Sequence, residues 1–218
     1  MRAADKVLPE ATLGRLTLYL RVLDSLAAEG TETVSSEVLA EASGVNSAIL
    51  RKDLSLLGTF GRRGVGYEVG VLAGFISGTL GLDRDWRVAI VGAGNLGRAL
   101  AGYGGFRGNG FRLVALLDQS PELIGRRFAD LDVRDAGELE TLLPADAVNM
   151  AVLAVPGAAA QALCERVVAA GVRNILNFAP VVLQVPPGVQ VRKVDMAREL
   201  QILAYHAGHA GQGGPPGP

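Results

Sequence analysis

Several residue types are scarce in this sequence, and each shortage narrows what the chain can do. One cysteine, Cys164, occurs among 218 residues. No disulfide can form within the chain, and a structural zinc site finds too few ligands, so no metal is expected. The only histidines, His206 and His209, fall near the end and read as solvated residues rather than as acid–base catalysts. Aromatics make up 5% of a chain that is 49% hydrophobic, so the core is expected to be aliphatic. No apolar run reaches the roughly 18 residues of a spanning helix. Residues 1–10 are mixed and polar rather than a basic-then-apolar leader. These absences lead to the expectation of a cytoplasmic protein without membrane contact. The formal net charge of −1 counts against nucleic-acid binding as the only role, because such domains often have a pI above about 9.

Hydrophobic patterning divides the chain in two. Leu13, Leu16, Leu20, Leu23 and Leu26 recur at spacings of three and four, which predicts a helix over 11–28. Ser35 or Ser36 caps a second helix that ends near Gly44, and a third runs over 47–57. Residues 59–69 alternate glycine with basic and apolar residues and are expected to form a β-hairpin. A fourth helix follows over 71–80. From Trp86 the pattern changes. Short apolar runs at 87–91, 113–117, 151–155 and 174–178 alternate with helical stretches such as 158–170, the signature of a doubly wound parallel sheet. The expected domains are 1–82, 83–193, a terminal helix over 194–207, and a Gly/Pro-rich tail over 208–218.

Gly92, Ala93, Gly94, Asn95, Leu96 and Gly97 fit G-x-G-x-x-G between a strand and a helix, the context that makes this otherwise weak pattern meaningful. The first glycine allows a tight turn, the second a close approach of pyrophosphate, and the third helix-on-strand packing. Asp118 ends the second strand, where an acid bonds an adenosine ribose and favours NAD over NADP. A Rossmann-like unit that binds another nucleotide, such as coenzyme A, or none, is the alternative. Val155, Pro156, Phe178, Ala179 and Pro180 are candidates to line a nicotinamide pocket.

Helix, turn, helix and glycine-rich hairpin are the parts, in order, of a winged helix-turn-helix, whose second helix reads the major groove. Ser47, Arg51, Lys52 and Ser55 lie on that helix, Arg62 and Arg63 at the hairpin tip, and Tyr67 just after it. Arg51, Lys52, Asp53, Arg62 and Arg63 are the charged residues of this segment, four positive and one negative. An ordinary solvated helix followed by a loop is the competing reading, and topology together with charge favours DNA.

The strings Arg51-Lys52-Asp53-Leu54-Ser55, Phe60-Gly61-Arg62-Arg63-Gly64-Val65-Gly66-Tyr67 and Ile175-Leu176-Asn177-Phe178-Ala179-Pro180, with the glycine motif and Val194-Asp195, resemble the Rex family of redox-sensing repressors. The resemblance runs from about Leu8 to Tyr205. It implies a winged helix joined to a Rossmann domain and a homodimer with an exchanged C-terminal helix. It further implies NADH and NAD+ as ligands, palindromic operator DNA as partner, and release of DNA when NADH binds. Carried over, Arg21, Tyr103 and Asp195 match positions that couple nucleotide state to domain orientation. An NAD-dependent dehydrogenase and a nucleotide-gated module that does not touch DNA are the competing classes. The first suffers from the shortage of acid–base residues and of chain for a substrate domain.

Overall fold

The computed structural model describes residues 8–61 and 66–209. The chain divides into two compact units, Met1–Arg84 and Asp85–Pro218.

The first unit is built from helices α1 (Glu10–Ala28), α2 (Ser36–Ala42), α3 (Ser47–Leu57) and α4 (Val69–Thr79), with short strands β1 (Thr33–Val34) and β2 (Tyr67–Glu68). Leu16, Tyr19, Leu20 and Leu23 form the buried stripe of α1. The Ser35 hydroxyl caps α2 by accepting from the Val38 N–H at 3.2 Å. Asn46 caps α3 in the same way through Ala48 N–H at 2.7 Å. Such caps satisfy donors that the first turn leaves free. Leu50, Leu54 and Leu57 of α3 join the α1 stripe, Leu39 of α2, and Leu72 and Ile76 of α4 in one aliphatic core.

The expected hairpin over 59–69 takes a different form. Its one strand among the described residues, β2, pairs antiparallel with β1 (Thr33↔Glu68, Val34↔Tyr67) rather than with residues 59–61. Gly61 and Gly66 explain this. Both have positive φ, and a Cβ on Gly61 would press on the Gly66 carbonyl while one on Gly66 would fall on that of Val34. The chain closes on itself at these glycines, a conformation that side chains resist, and Tyr67 continues onto β1. Arg62 and Arg63 lie outside the described residues.

The second unit holds strands β3 (Trp86–Val91), β4 (Phe111–Asp118), β5 (Arg127–Phe128), β6 (Leu131–Asp135), β7 (Met150–Leu153), β8 (Asn174–Asn177) and β9 (Gln190–Lys193). Helices α5 (Asn95–Ala101), α6 (Gly105–Gly108), α7 (Leu139–Ala145) and α8 (Gly157–Ala169) connect them, and α9 (Met196–His209) follows. The sheet order is β5-β6-β4-β3-β7-β8-β9. All pairings are parallel except β5 with β6. Numbered along the chain, the parallel strands run 3-2-1-4-5-6, the doubly wound order. Successive residues of β3 face opposite ways: Ala89 and Val91 enter the core beneath α7 and α8, while Val88 and Ile90 enter the one that includes Leu100 and Ala101 of α5. Helix α9 extends two residues past the expected end, so Gly208 and His209 are helical rather than tail. None of its residues is buried, and Met196, Leu200, Leu203 and Tyr205 are each more than 60% exposed. The rest of the expected tail, 210–218, lies outside the described residues.

One feature of the first unit was not expected. Asp53, one of the three charged residues of α3, is buried on the inner side of that helix. Its carboxylate accepts from Arg15 Nε at 2.6 Å, Arg15 Nη2 at 2.8 Å, the Tyr19 hydroxyl at 2.9 Å and the Thr12 hydroxyl at 3.1 Å. The Asp53 side chain is 3% exposed and that of Arg15 29%. Burial acts to raise the Asp53 carboxyl, but the bonds from Arg15, Tyr19 and Thr12 outweigh it and hold the group below its ordinary value. Burial, reinforced by Asp53, pushes the Tyr19 phenol up to about 12. Removing one partner of such a pair strands the other. Asp53→Asn is expected to destabilise the first unit by about 3 kcal/mol. Because the folded carboxyl is depressed, its contribution is complete above the unfolded value of about 3.9 and disappears as pH falls through the folded value. Denaturant unfolding of wild type and variant from pH 7 down to pH 2 (roughly the acid limit of such linkage) should show the two curves converging only in acid.

Candidate functional site

In open α/β sheets ligands settle where strand order reverses, outside the carboxyl ends of the strands. Here that point lies between β3 and β7, and a cavity of about 420 Å³ opens there, within the size range of small-molecule sites. Gly92, Gly94, Asp118, Val155 and Pro156 line it, as do Gln119, Asp135, Ala136, Gly137, Ala159, Leu163 and Arg166.

The three glycines differ in their physical situation. Gly92 has φ +103°, and a Cβ there would fall on the Ala154 carbonyl. At Gly97 a Cβ would fall on the Gly92 carbonyl oxygen, so α5 can lie this close to the β3 turn only without one. Gly94 has an ordinary φ of −66°, and a Cβ there meets nothing within 4 Å. Neither strain nor packing within the chain accounts for a glycine at that position, whereas close approach of a ligand to the backbone does. Asn95 and Leu96 begin α5, and Ala93 is buried.

Asp118 braces this loop. Its carboxylate accepts from the Ala93 N–H at 2.6 Å and the Ser120 N–H at 2.8 Å. Each oxygen therefore keeps a lone pair for a hydroxyl donor. Across the cavity, Arg166 of α8 donates to both Glu140 oxygens, at 2.5 and 2.7 Å, and to the carbonyls of Ala136 and Gly137, at 2.9 and 3.1 Å. The Arg166 guanidinium holds Glu140 down at about 2. Asp135 caps the following turn through the Gly137 N–H at 2.7 Å. Sequence reading missed this wall because β6 is short and mixed in polarity, and nothing local links Arg166 to it.

Phe178, Ala179 and Pro180 do not line the cavity. Ala179 is buried, Phe178 packs on the α5 side of the sheet, and Pro180 is exposed. Buried Asn177 shapes their turn, donating to the Val181 carbonyl and accepting from the Ala179 N–H, both at 2.9 Å.

In the first unit, Ser47, Arg51 and Ser55 recur every fourth residue along the outer side of α3, with Lys52 beside them; all but half-buried Ser47 are exposed. Arg51 donates to Glu37 at 3.0 Å, Ser36 at 3.1 Å and Ser47 at 3.3 Å, an exposed arrangement weak enough to be exchanged for a phosphate or base. Tyr67 departs from the expectation of an outward DNA contact. Its ring belongs to the core and is 8% exposed, because pairing with Val34 turns it inward.

Of the expected switch residues, Arg21 is exposed on α1. Tyr103 is 59% exposed, folds over Gly105, and meets Phe106 edge-on at 5.2 Å. Asp195 pairs with Lys193 at 3.0 Å and accepts from the Arg198 N–H at 3.1 Å at the start of α9; Lys193 foremost holds it below the usual carboxylate range. No hydrogen bond joins Tyr103 to Asp195 among the described residues.

Two family models match the chain: "Putative DNA-binding protein N-terminus" over residues 7–55 and "CoA binding domain" over residues 83–181. The chain is 57% identical over 199 residues to the redox-sensing transcriptional repressor Rex of Streptomyces coelicolor, covering 91% of this chain and 77% of that protein. It is 44% identical to Rex of Desulfitobacterium hafniense over 92% of this chain and 96% of the relative. Among solved structures, RSP, a Rex-family repressor, in complex with β-NAD+ and operator DNA aligns with a TM-score of 0.88 at 33% identity, covering 94% of this chain and 95% of that one. RSP in complex with β-NADH aligns with a TM-score of 0.83 at 32% identity, covering 94% and 97%. Two such units in one chain, with relatives of this identity along nearly its whole length, place the protein in the Rex family of redox-sensing transcriptional repressors.

Proposed function

We propose that this chain represses transcription by binding a palindromic operator as a homodimer, and that the NADH/NAD+ ratio controls it through the cavity between β3 and β7. Its role is regulatory rather than enzymatic, as in the Rex relatives. The observation that carries the nucleotide reading is Gly94, an unstrained glycine with open space before it, beside a loop held by Asp118. Gly94, Asn95 and Leu96 supply backbone to a pyrophosphate at the start of α5, in a turn shaped by Gly92, Ala93 and Gly97, and the Asp118 lone pairs accept a ribose hydroxyl. That carboxylate repels a phosphate on the same ribose, which favours NAD(H) over phosphorylated nucleotides. Val155 and Pro156 give the cavity an apolar side, which disfavours the cationic oxidised ring because burying an unpaired charge is costly.

DNA is read by Ser47, Arg51, Lys52 and Ser55 of α3, with Arg62 and Arg63 adding phosphate contacts; a two-fold dimer places its reading helices whole helical turns apart. NADH lowers operator affinity only as far as it binds one arrangement of the dimer more tightly than the other. Arg21, Tyr103 and Asp195 form the polar switch between these arrangements. Helix α9, with its apolar residues exposed, is the element exchanged between subunits. No helix among the described residues is long and apolar enough to cross a membrane, and a cytoplasmic location accords with an operator-bound repressor.

Fluorescence anisotropy on a labelled palindromic duplex, titrated separately with NADH and NAD+, should show release by NADH alone. Indifference to both nucleotides would remove the sensor and keep the DNA reader. Tyr103→Phe should weaken the NADH response several-fold while leaving thermal unfolding unchanged. Gly94→Ala and Gly97→Ala separate binding from packing. Gly94→Ala should fold normally and lose at least tenfold in NADH affinity by fluorescence titration, whereas Gly97→Ala should lose about 1–3 kcal/mol of stability through overpacking.

A further inference from the structure

The buried pair in the first unit is an uneconomical way to hold two helices together. Well-packed apolar residues of similar volume are often as stabilising as a buried ion pair or more so, and the best-attested use of such pairs is to fix register. Its geometry is that of a register device. The four bonds reaching Asp53 come from three side chains of α1, namely Thr12, Arg15 and Tyr19. They occupy the carboxylate's acceptor sites from several directions. Apolar contacts at Leu50, Leu54 and Leu57 tolerate a small rotation of α3, because dispersion and burial are not directional. A carboxylate with four donors does not.

Asp53 is also placed where rotation matters most. It follows Arg51 by two residues, or about 200° around the helix, so anchoring Asp53 inward aims Arg51 outward. A turn of about 20° at a helix radius of about 6 Å moves an outer side chain by about 2 Å. That is enough to take a donor out of hydrogen-bond range of a base edge, while a phosphate still feels the charge.

We propose that Asp53, held by Arg15, Tyr19 and Thr12, is the positioning residue that sets the rotation of α3 on α1, so that the buried pair supplies base-sequence discrimination. The proposal rests on the reading of α3 as the DNA-contacting helix. Helix α1 also carries Arg21, two residues beyond Tyr19. Any reorientation of α1 through Arg21 is therefore carried to the reading helix without slack.

The test replaces the charged and phenolic members of the network together rather than one of them; the Thr12 hydroxyl that remains can turn to a backbone carbonyl of its own helix. The full-length variant Arg15→Met/Tyr19→Phe/Asp53→Leu leaves no charge stranded and is expected to melt at or above the wild-type temperature. An operator duplex is first selected by the wild-type protein from a random pool, and a scrambled duplex of the same length serves as the non-specific probe. The variant should lose at least tenfold in affinity for the selected duplex while its affinity for the scrambled duplex, and the salt dependence of that affinity, stay unchanged. Selection repeated with the variant should return a more degenerate site. Retained operator affinity overturns the proposal, as does an equal loss on both duplexes. If the triple variant does not fold, Tyr19→Phe, which removes one bond, decides: a loss of about threefold on the operator alone supports the proposal, and no selective loss overturns it. A wild-type protein that selects no sequence from the pool overturns the DNA-reading assignment itself, and the proposal with it.

Discussion

The absence of one methyl group at position 97 governs the second unit. With any side chain there, α5 cannot approach the carbonyl of Gly92, and the turn after β3 opens. The tight turn directs the backbone into the crevice at the strand-order reversal, lets the Ala93 N–H reach Asp118, and ties the ends of β3 and β4 into one bracket. The cavity, its glycine-rich wall and its carboxylate are consequences of that approach. Glycine is called for by space at 97, by both space and conformation at 92, and by neither within the chain at 94. This gradation distinguishes residues that build the turn from one whose lack of a side chain the chain itself does not require.

Much of this architecture was legible in the sequence because each signal was local. Three-and-four spacing of leucines gave α1, a serine cap marked the start of α2 and Gly44 its end, and continuous apolar runs marked the central strands β3, β4, β7 and β8. What stayed hidden depended on partners distant in the chain. The edge strands β5 and β9, and β6 beside β5, are short and mixed in polarity, since the margins of a sheet stay partly wet, so they carry no clear period. Arg166 gains its meaning only when α8 brings it against Glu140 and the turn after β6. Tyr67 sits within a glycine- and arginine-rich segment that reads as surface, yet pairing with Val34 takes it inside.

Asp53 is the sharpest instance of that limit. Directly after Arg51 and Lys52 it looks like one more solvated charge, and periodicity cannot distinguish a polar residue on the inner arc of a helix from one at its margin. Its partners lie 34 to 41 residues earlier. Once it is internal, the outer surface of α3 carries no carboxylate of its own, so the chain presents a basic face there despite a formal net charge of −1. Overall charge is a poor guide where a single burial event redistributes it.

Helix α9 has a consequence of a different kind. A 14-residue helix with no buried side chain draws little support from packing, and helices of that length are marginal on their own in water. Its order is therefore tied to whatever covers its apolar residues. When that cover comes from another copy of the chain, mass action enters: the cell's stock of this protein becomes a second input beside the nucleotide ratio, and the threshold for repression depends on gene dosage as well as on redox state.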